Sequence, residues 1–202
     1  PYTTFDNSSL PEDEAFWGSI GLTVIQLECP IPFTEAIGLK SKNYGIPILL
    51  NAAPAIPFPD SWWDWVDILV VNELEAETLS KKKIDDFEDA RRSMEILLDR
   101  CQNTVITLGE KGLLIGEGSQ MKHIPAHTVS TVSTLGAGDA FVGVMATELC
   151  QGADLEKSAQ IANYAAAASV TRSGAQTSYL TLEILLEHPV LGESFQQWHQ
   201  MS

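Results

Sequence analysis

Short apolar runs rich in β-branched side chains alternate along this 202-residue chain with longer stretches of helical periodicity. This alternation is the strongest constraint on the fold. Strand signals are predicted at Gly21–Glu28, Ile46–Asn51, Asp67–Asn72 and Thr104–Leu108, with a hairpin formed by Leu113–Ile115 and Gln120–Ile124. Helices are predicted at Pro32–Tyr44, Glu73–Ser80, from Asp85 to about Arg100, and at Ala137–Cys150 and Leu155–Thr171, with one short helix after Thr181. Residues 52–59 (AAPAIPFP) carry too much proline for either regular state. Strand, helix, strand at this spacing implies parallel βαβ units in a mainly parallel sheet with helices on both faces. In such sheets ligands lie beyond the carboxyl ends of the strands. Glu28, Asn51, Asn72 and Gly109 therefore become candidates on position alone.

Nothing in the sequence divides the chain: no repeat, low-complexity tract or long linker interrupts it, so residues 1–202 are expected to form a single domain. Apolar residues make up 45% of the chain and charged residues 19%, which excludes disordered and fibrous classes. Twelve Lys and Arg against 27 Asp and Glu leave a formal charge of -15. A surface so acidic repels nucleic acid and anionic lipid, so neither is an expected partner. An anionic ligand would need a local device that overrides the global field. Cys29, Cys101 and Cys150 are odd in number and lack metal-like spacing, which suggests reduced thiols and a soluble, cytoplasmic protein.

Ser133–Phe141 (STLGAGDAF) is the segment that most directly suggests chemistry. A loop with two glycines runs into an apolar helix, whose first N–H groups have no partners within the helix. Together with the helix dipole they make an anion site, and Asp139 sits in the first turn. A dipole-compensating acid is the simpler explanation of Asp139 taken alone. Asn72 and Glu75 follow a strand one helical turn apart, a pairing that suits a hydrated magnesium ion and a phosphate, or merely a solvated helix start. Thr107–Gly112 (TLGEKG) is a second strand-to-loop junction with two glycines, fit to line a nucleotide or to turn into the hairpin.

Taken in order, these segments resemble the ribokinase family of carbohydrate kinases, often called the PfkB family. Its signature is Asp-Thr-x-Gly-Ala-Gly-Asp with an upstream Asn-x-x-Glu, and Gly136–Asp139 match the second half letter for letter. Val24–Pro30 (VIQLECP), Leu50–Ala55 (LNAAPA) and Val170–Ser178 (VTRSGAQTS) are similar to segments of its ribose-phosphorylating members. The resemblance implies a three-layer fold, magnesium-dependent use of ATP, and transfer of phosphate to a sugar hydroxyl, with D-ribose to D-ribose 5-phosphate favoured. It implies that Asp139 is the general base and that Gly136, Ala137 and Gly138 offer N–H groups to the moving phosphoryl group. Glu75 and Asn72 would act on magnesium and phosphates, Asn72 also on the nucleotide, and Glu28 would contact the sugar, as would Asp139. Thr107, Gly109, Gly112, Gly138 and Asn163 would lie around the nucleotide. Ser133, Leu135, Ser169, Arg172, Gly174 and Ser178 would frame a monovalent-cation loop.

The sequence departs from the family at several positions. Ser133 stands where the family has an aspartate, which removes a carboxylate from the cation's surroundings and weakens the case for potassium. Leu135 replaces a frequent threonine, Ala52 a proline, and Leu180 a common proline. Family members are longer, and this chain matches from about a third of the way in. The N-terminal part, with the small β lid through which family members often homodimerise and most sugar contacts, is expected to be absent. A degenerate relative that binds nucleotide or a partner without turnover is the alternative. Trp62, Trp63 and Trp65 are expected to cap the sheet, and His123 and His127 to lie on the surface.

Overall fold

The computed structural model describes residues 8, 10–174 and 181–188. Their contacts group into two units. The first runs up to Leu108 and adds Leu114–His123; the second comprises Gly109–Leu113 and the chain from Ile124 onward.

A six-stranded sheet organises the first unit, with strands β1 (Thr23–Gln26), β2 (Ile48–Asn51), β3 (Ile68–Asn72), β4 (Asn103–Thr107), β5 (Leu113–Glu117) and β6 (Gln120–Ile124) in sequential spatial order. Strands β1 to β4 are parallel, with Gln26 opposite Asn51, Asn51 opposite Val70, and Asn72 opposite Thr107. Their carboxyl ends therefore share one edge, as the βαβ pattern predicts. The two-residue connection between β5 and β6 permits only an antiparallel hairpin, so the sheet is mixed.

Every predicted strand is present, with shifted limits. Pro47 has no N–H to donate, so β2 begins at Ile48 rather than Ile46, although the Pro47 carbonyl still accepts from Thr23 N–H at 2.9 Å. The chain turns at Leu27 and Glu28, so Glu28 lies just past β1 rather than inside it.

Helices α2 (Ile31–Asn43), α3 (Glu73–Ser80) and α4 (Phe87–Leu98) fill the connections from β1 to β2 and from β3 to β4. Helix α3 matches its expected limits, while α4 starts two residues later than expected because Asp86 caps it, accepting from Asp89 N–H at 2.9 Å. A five-residue helix, α1 (Glu14–Gly18), was not evident from periodicity. The connection from β2 to β3 contains no α-helix. Residues 52–59 are irregular, as their prolines require, and a 3₁₀ turn at Asp60–Asp64 leads into β3.

One sheet face carries Ile25, Ile48, Leu50, Leu69, Val71 and Ile106, and packs with Ala76 of α3 and Ala90, Met94 and Leu97 of α4. Trp62 and Trp65 belong to the same core, with Phe58 stacked on Trp62 at 5.3 Å, so the tryptophans do cap the sheet. Leu49, Val70 and Val105, which alternate with that face, are buried as well. Burial of both faces is why these strands read as continuous apolar runs.

In the second unit, α5 (Ala137–Cys150) and α6 (Leu155–Ser169) pack along each other. Alanines on α6 allow close approach, and Asp154 caps its start through Lys157 N–H at 2.7 Å. Ile161, Tyr164, Ala165 and Ala168 form a second core with Leu185 of the short helix α7 (Leu182–Leu186). No helix among the described residues is long and apolar enough to cross a membrane.

Candidate active site

Within the first unit, the shared edge of β1–β4 presents Glu28, Asn51, Asn72 and Thr107. Asn72 ends β3 and caps α3. Its side-chain oxygen accepts from Glu75 N–H at 2.9 Å. Its own N–H donates to one Glu75 carboxylate oxygen at 2.8 Å and its amide NH₂ to the other at 2.9 Å. This reciprocal capping box explains the Asn-x-x-Glu spacing by local physics. It also corrects the picture of a solvated helix start, because Glu75 is only 4% exposed. Burial pushes the Glu75 carboxyl above its usual range, against the two Asn72 hydrogen bonds, which lower it. Thr107 lies beside Asn72 and its hydroxyl donates to Val71 O at 3.4 Å. Glu28 is exposed, with half-buried Cys29 next to it.

Within the second unit, Gly136 is the N-cap of α5 with φ of 81°, a left-handed conformation that favours glycine, and no side chain caps the helix. Gly138 faces open space, since an added Cβ would meet nothing within 4 Å. Asp139 lies exposed in the first turn. The loop before this helix is tied to the end of α6: Val132 and Ser133 N–H both donate to Val170 O, at 2.7 and 3.1 Å. Ser133 Oγ in turn accepts from Leu135 N–H at 3.3 Å. Ser133 and Leu135 are thereby brought near the turn that holds Ser169 and Arg172, where Arg172 N–H donates to Ser169 O at 3.2 Å. Gly174 has φ of 95°. Ser178 lies outside the described residues.

Gly109–Lys111 form a 3₁₀ turn closed by Gly112 N–H donating to Gly109 O at 3.1 Å. Asn163, 8% exposed on α6, donates to Pro125 O at 2.9 Å. His127 is half-buried rather than a surface residue, its ring stacked on Tyr164 with centroids 3.9 Å apart and planes 21° apart. Burial holds its imidazole below the usual histidine value. Sequence reading missed this pairing because no spacing links residue 127 to residue 164. His123 is exposed, as expected, and meets Phe87 edge to face at 4.8 Å. Among the described residues, no cluster of three or more His, Cys, Asp or Glu side chains could hold a metal.

Four parallel strands of a mixed sheet, with their carboxyl ends on one edge and helices packed against them, define an α/β protein. Residues 18–182 match the pfkB family carbohydrate kinase profile, and the chain belongs to that family. It is 38% identical over 174 residues to a deoxyribokinase of Salmonella typhimurium, covering 85% of this chain and 57% of that one. It is 38% identical over 163 residues to a ribokinase of Mus musculus, covering 77% and 50%. The solved structure of Arabidopsis thaliana ribokinase complexed with ribose and ATP superposes with a TM-score of 0.78 at 24% identity, over 86% of this chain and 57% of that one, and shares the fold. The chain thus spans about half the length of the curated relatives it matches.

Proposed function

We propose that this chain carries the nucleotide- and phosphate-handling part of an ATP-dependent sugar kinase, with D-ribose, giving D-ribose 5-phosphate, as the favoured acceptor. The observation that carries the reading is the start of α5. A left-handed glycine leads into a helix that no side chain caps, with an exposed carboxylate in its first turn. In the proposed reaction Asp139 accepts the proton of the sugar hydroxyl while that oxygen attacks the terminal phosphorus of ATP. The bond to the bridging oxygen breaks and ADP leaves. The N–H groups of Gly136, Ala137 and Gly138 face the charge that develops on the phosphoryl oxygens. Positioning and charge stabilisation of this kind are most of what phosphoryl transfer requires.

The start of α3 would hold magnesium through Glu75. Each Glu75 carboxylate oxygen already accepts from Asn72, and the side chain is buried, so an ion would be held through water, with Asn72 oriented toward the phosphates. The metal would supply positive charge to those phosphates. Thr107, Gly109, Gly112 and Asn163 would surround the nucleotide, and Glu28 the sugar. Ser133 supplies a hydroxyl where the family carries a carboxylate, so potassium activation would be weak.

Ribose and deoxyribose are both open as acceptors, since relatives named for each are equally identical to this chain. A second reading, nucleotide binding without turnover, is favoured by Ser133, which stands where the family carries a carboxylate. Titration calorimetry with ATP and magnesium tests the common part. The chain should bind, and Gly136→Ala should weaken binding about tenfold, because a left-handed alanine costs roughly 1–2 kcal/mol. No heat with ATP would overturn the proposal. A coupled ADP-release assay with ribose and with deoxyribose then separates the acceptors.

A further inference from the structure

The glycine turn at Gly109–Gly112 and the connector that leaves β6 approach each other more closely than any side chain allows. Gly112 has φ of 93°, and a Cβ built on it would stand 2.0 Å from Ile124 O, 2.6 Å from Ala126 N and 2.7 Å from the Pro125 carbonyl carbon. These neighbours are backbone atoms, so no rotamer change would relieve the clash. Helix α6 holds the same connector through two consecutive residues. Asn163 binds Pro125 O at 2.9 Å, and Tyr164 stacks on His127 at 3.9 Å. Both α6 residues are buried, at 8% and 9% exposure. A continuous set of contacts therefore runs from α6, through residues 125–127, to the end of the glycine turn.

We propose that residues 125–127 form a strap that sets the shape of the Gly109–Gly112 turn, and that His127, acting through its stack on Tyr164, is a positioning residue for nucleotide binding. This rests on the reading that the turn lines the nucleotide. His127 acts through its stack on Tyr164 and not on the reacting atoms. Its ring fixes the connector, and the connector fixes Gly112. A flat ring is what the role demands, so phenylalanine should serve in its place and alanine should not.

The test compares the wild-type chain with His127→Ala and His127→Phe by two measurements. Amide hydrogen exchange of peptides spanning 109–113 is followed without nucleotide, and mant-ADP binding is titrated by fluorescence. An aromatic pair of this kind is worth enough to change either quantity about 2- to 10-fold. His127→Ala should exchange faster across 109–113 and bind mant-ADP more weakly by such a factor, and His127→Phe should restore both. Unchanged exchange in His127→Ala would overturn the strap, as would faster exchange spread evenly over α5 and α6, which marks general loosening. A phenylalanine variant as impaired as the alanine variant would overturn the role of the stack. If exchange follows the expected pattern but the wild-type chain binds no mant-ADP, the nucleotide reading falls and the functional half of the proposal falls with it.

Discussion

Asp139 is the residue on which turnover should depend most steeply. Replacing its carboxylate by an amide removes a proton acceptor and leaves the N–H groups of Gly136 to Gly138 in place. General-base catalysis contributes roughly 10²- to 10⁴-fold. In a chain that turns over, Asp139→Asn should lose about that factor in kcat while ATP affinity stays within a few-fold, as read by steady-state kinetics beside calorimetry. At the same scale, His127 gives folding a pH dependence whose sign is fixed. Burial lowers its folded-state pKa from the ordinary 6.5, so the native state resists protonation that the unfolded chain accepts. Its contribution to stability is complete above about 6.5 and is lost as pH falls through the folded-state value. His188, lowered by burial and then by the Arg172 charge, adds to the same trend. Denaturant midpoints measured from pH 7.5 down to 5.0 should therefore fall, and His127→Phe should flatten part of that decline.

Among the elements, α3 shows how a functional pattern and a structural one can share the same atoms. Three hydrogen bonds between Asn72 and Glu75 close its first turn, and they would hold even if no ion or phosphate ever came near. Asn72→Ala should cost about 1 kcal/mol or more, within the usual range for a lost cap, and the buried Glu75 carboxylate would keep only the bond from the residue-72 N–H. Thermal unfolding checks this, with Asn72→Asp as the variant that keeps the cap oxygen but opposes Glu75 with a second charge. The strands and long helices were legible in the sequence because each carries a strong period: buried apolar runs for β2 and β3, capped amphipathic turns for α4. The start of α5 was legible through Gly136–Asp139. What escaped notice were features without a period. These are the five-residue α1, the capping role that buries Glu75, and the His127–Tyr164 stack, which depends on two residues meeting only after the chain has folded.

For the molecule as a whole, β1 has a consequence for handling the chain in isolation. Among the described residues it pairs only with β2, and Val24 on this edge strand is 44% exposed. Leu39 on α2 is 48% exposed and Phe16 on α1 45%. An edge strand with apolar neighbours invites pairing with other chains. The 202-residue chain should therefore self-associate with rising concentration in size-exclusion chromatography with light scattering. A chain that stays monomeric across that range would contradict the expectation.

The crossover from β2 to β3 leaves an optical signature. Because tryptophans rather than a helix fill that connection, two indole rings are sealed in the core with ring N–H groups that find no acceptor, whereas Trp17 donates its N–H to Pro11 O at 2.8 Å. Indoles shielded from water and from hydrogen-bond acceptors emit at shorter wavelength than hydrated ones. Every tryptophan among the described residues belongs to the first unit. In a Trp198→Phe chain, excitation at the red edge of tryptophan absorption should therefore report the melting of the sheet unit, with Trp62 and Trp65 as its buried emitters, while Tyr164 in the α5–α6 unit remains silent at that wavelength. With Trp198 replaced, that emission is a probe of the sheet unit that needs no label.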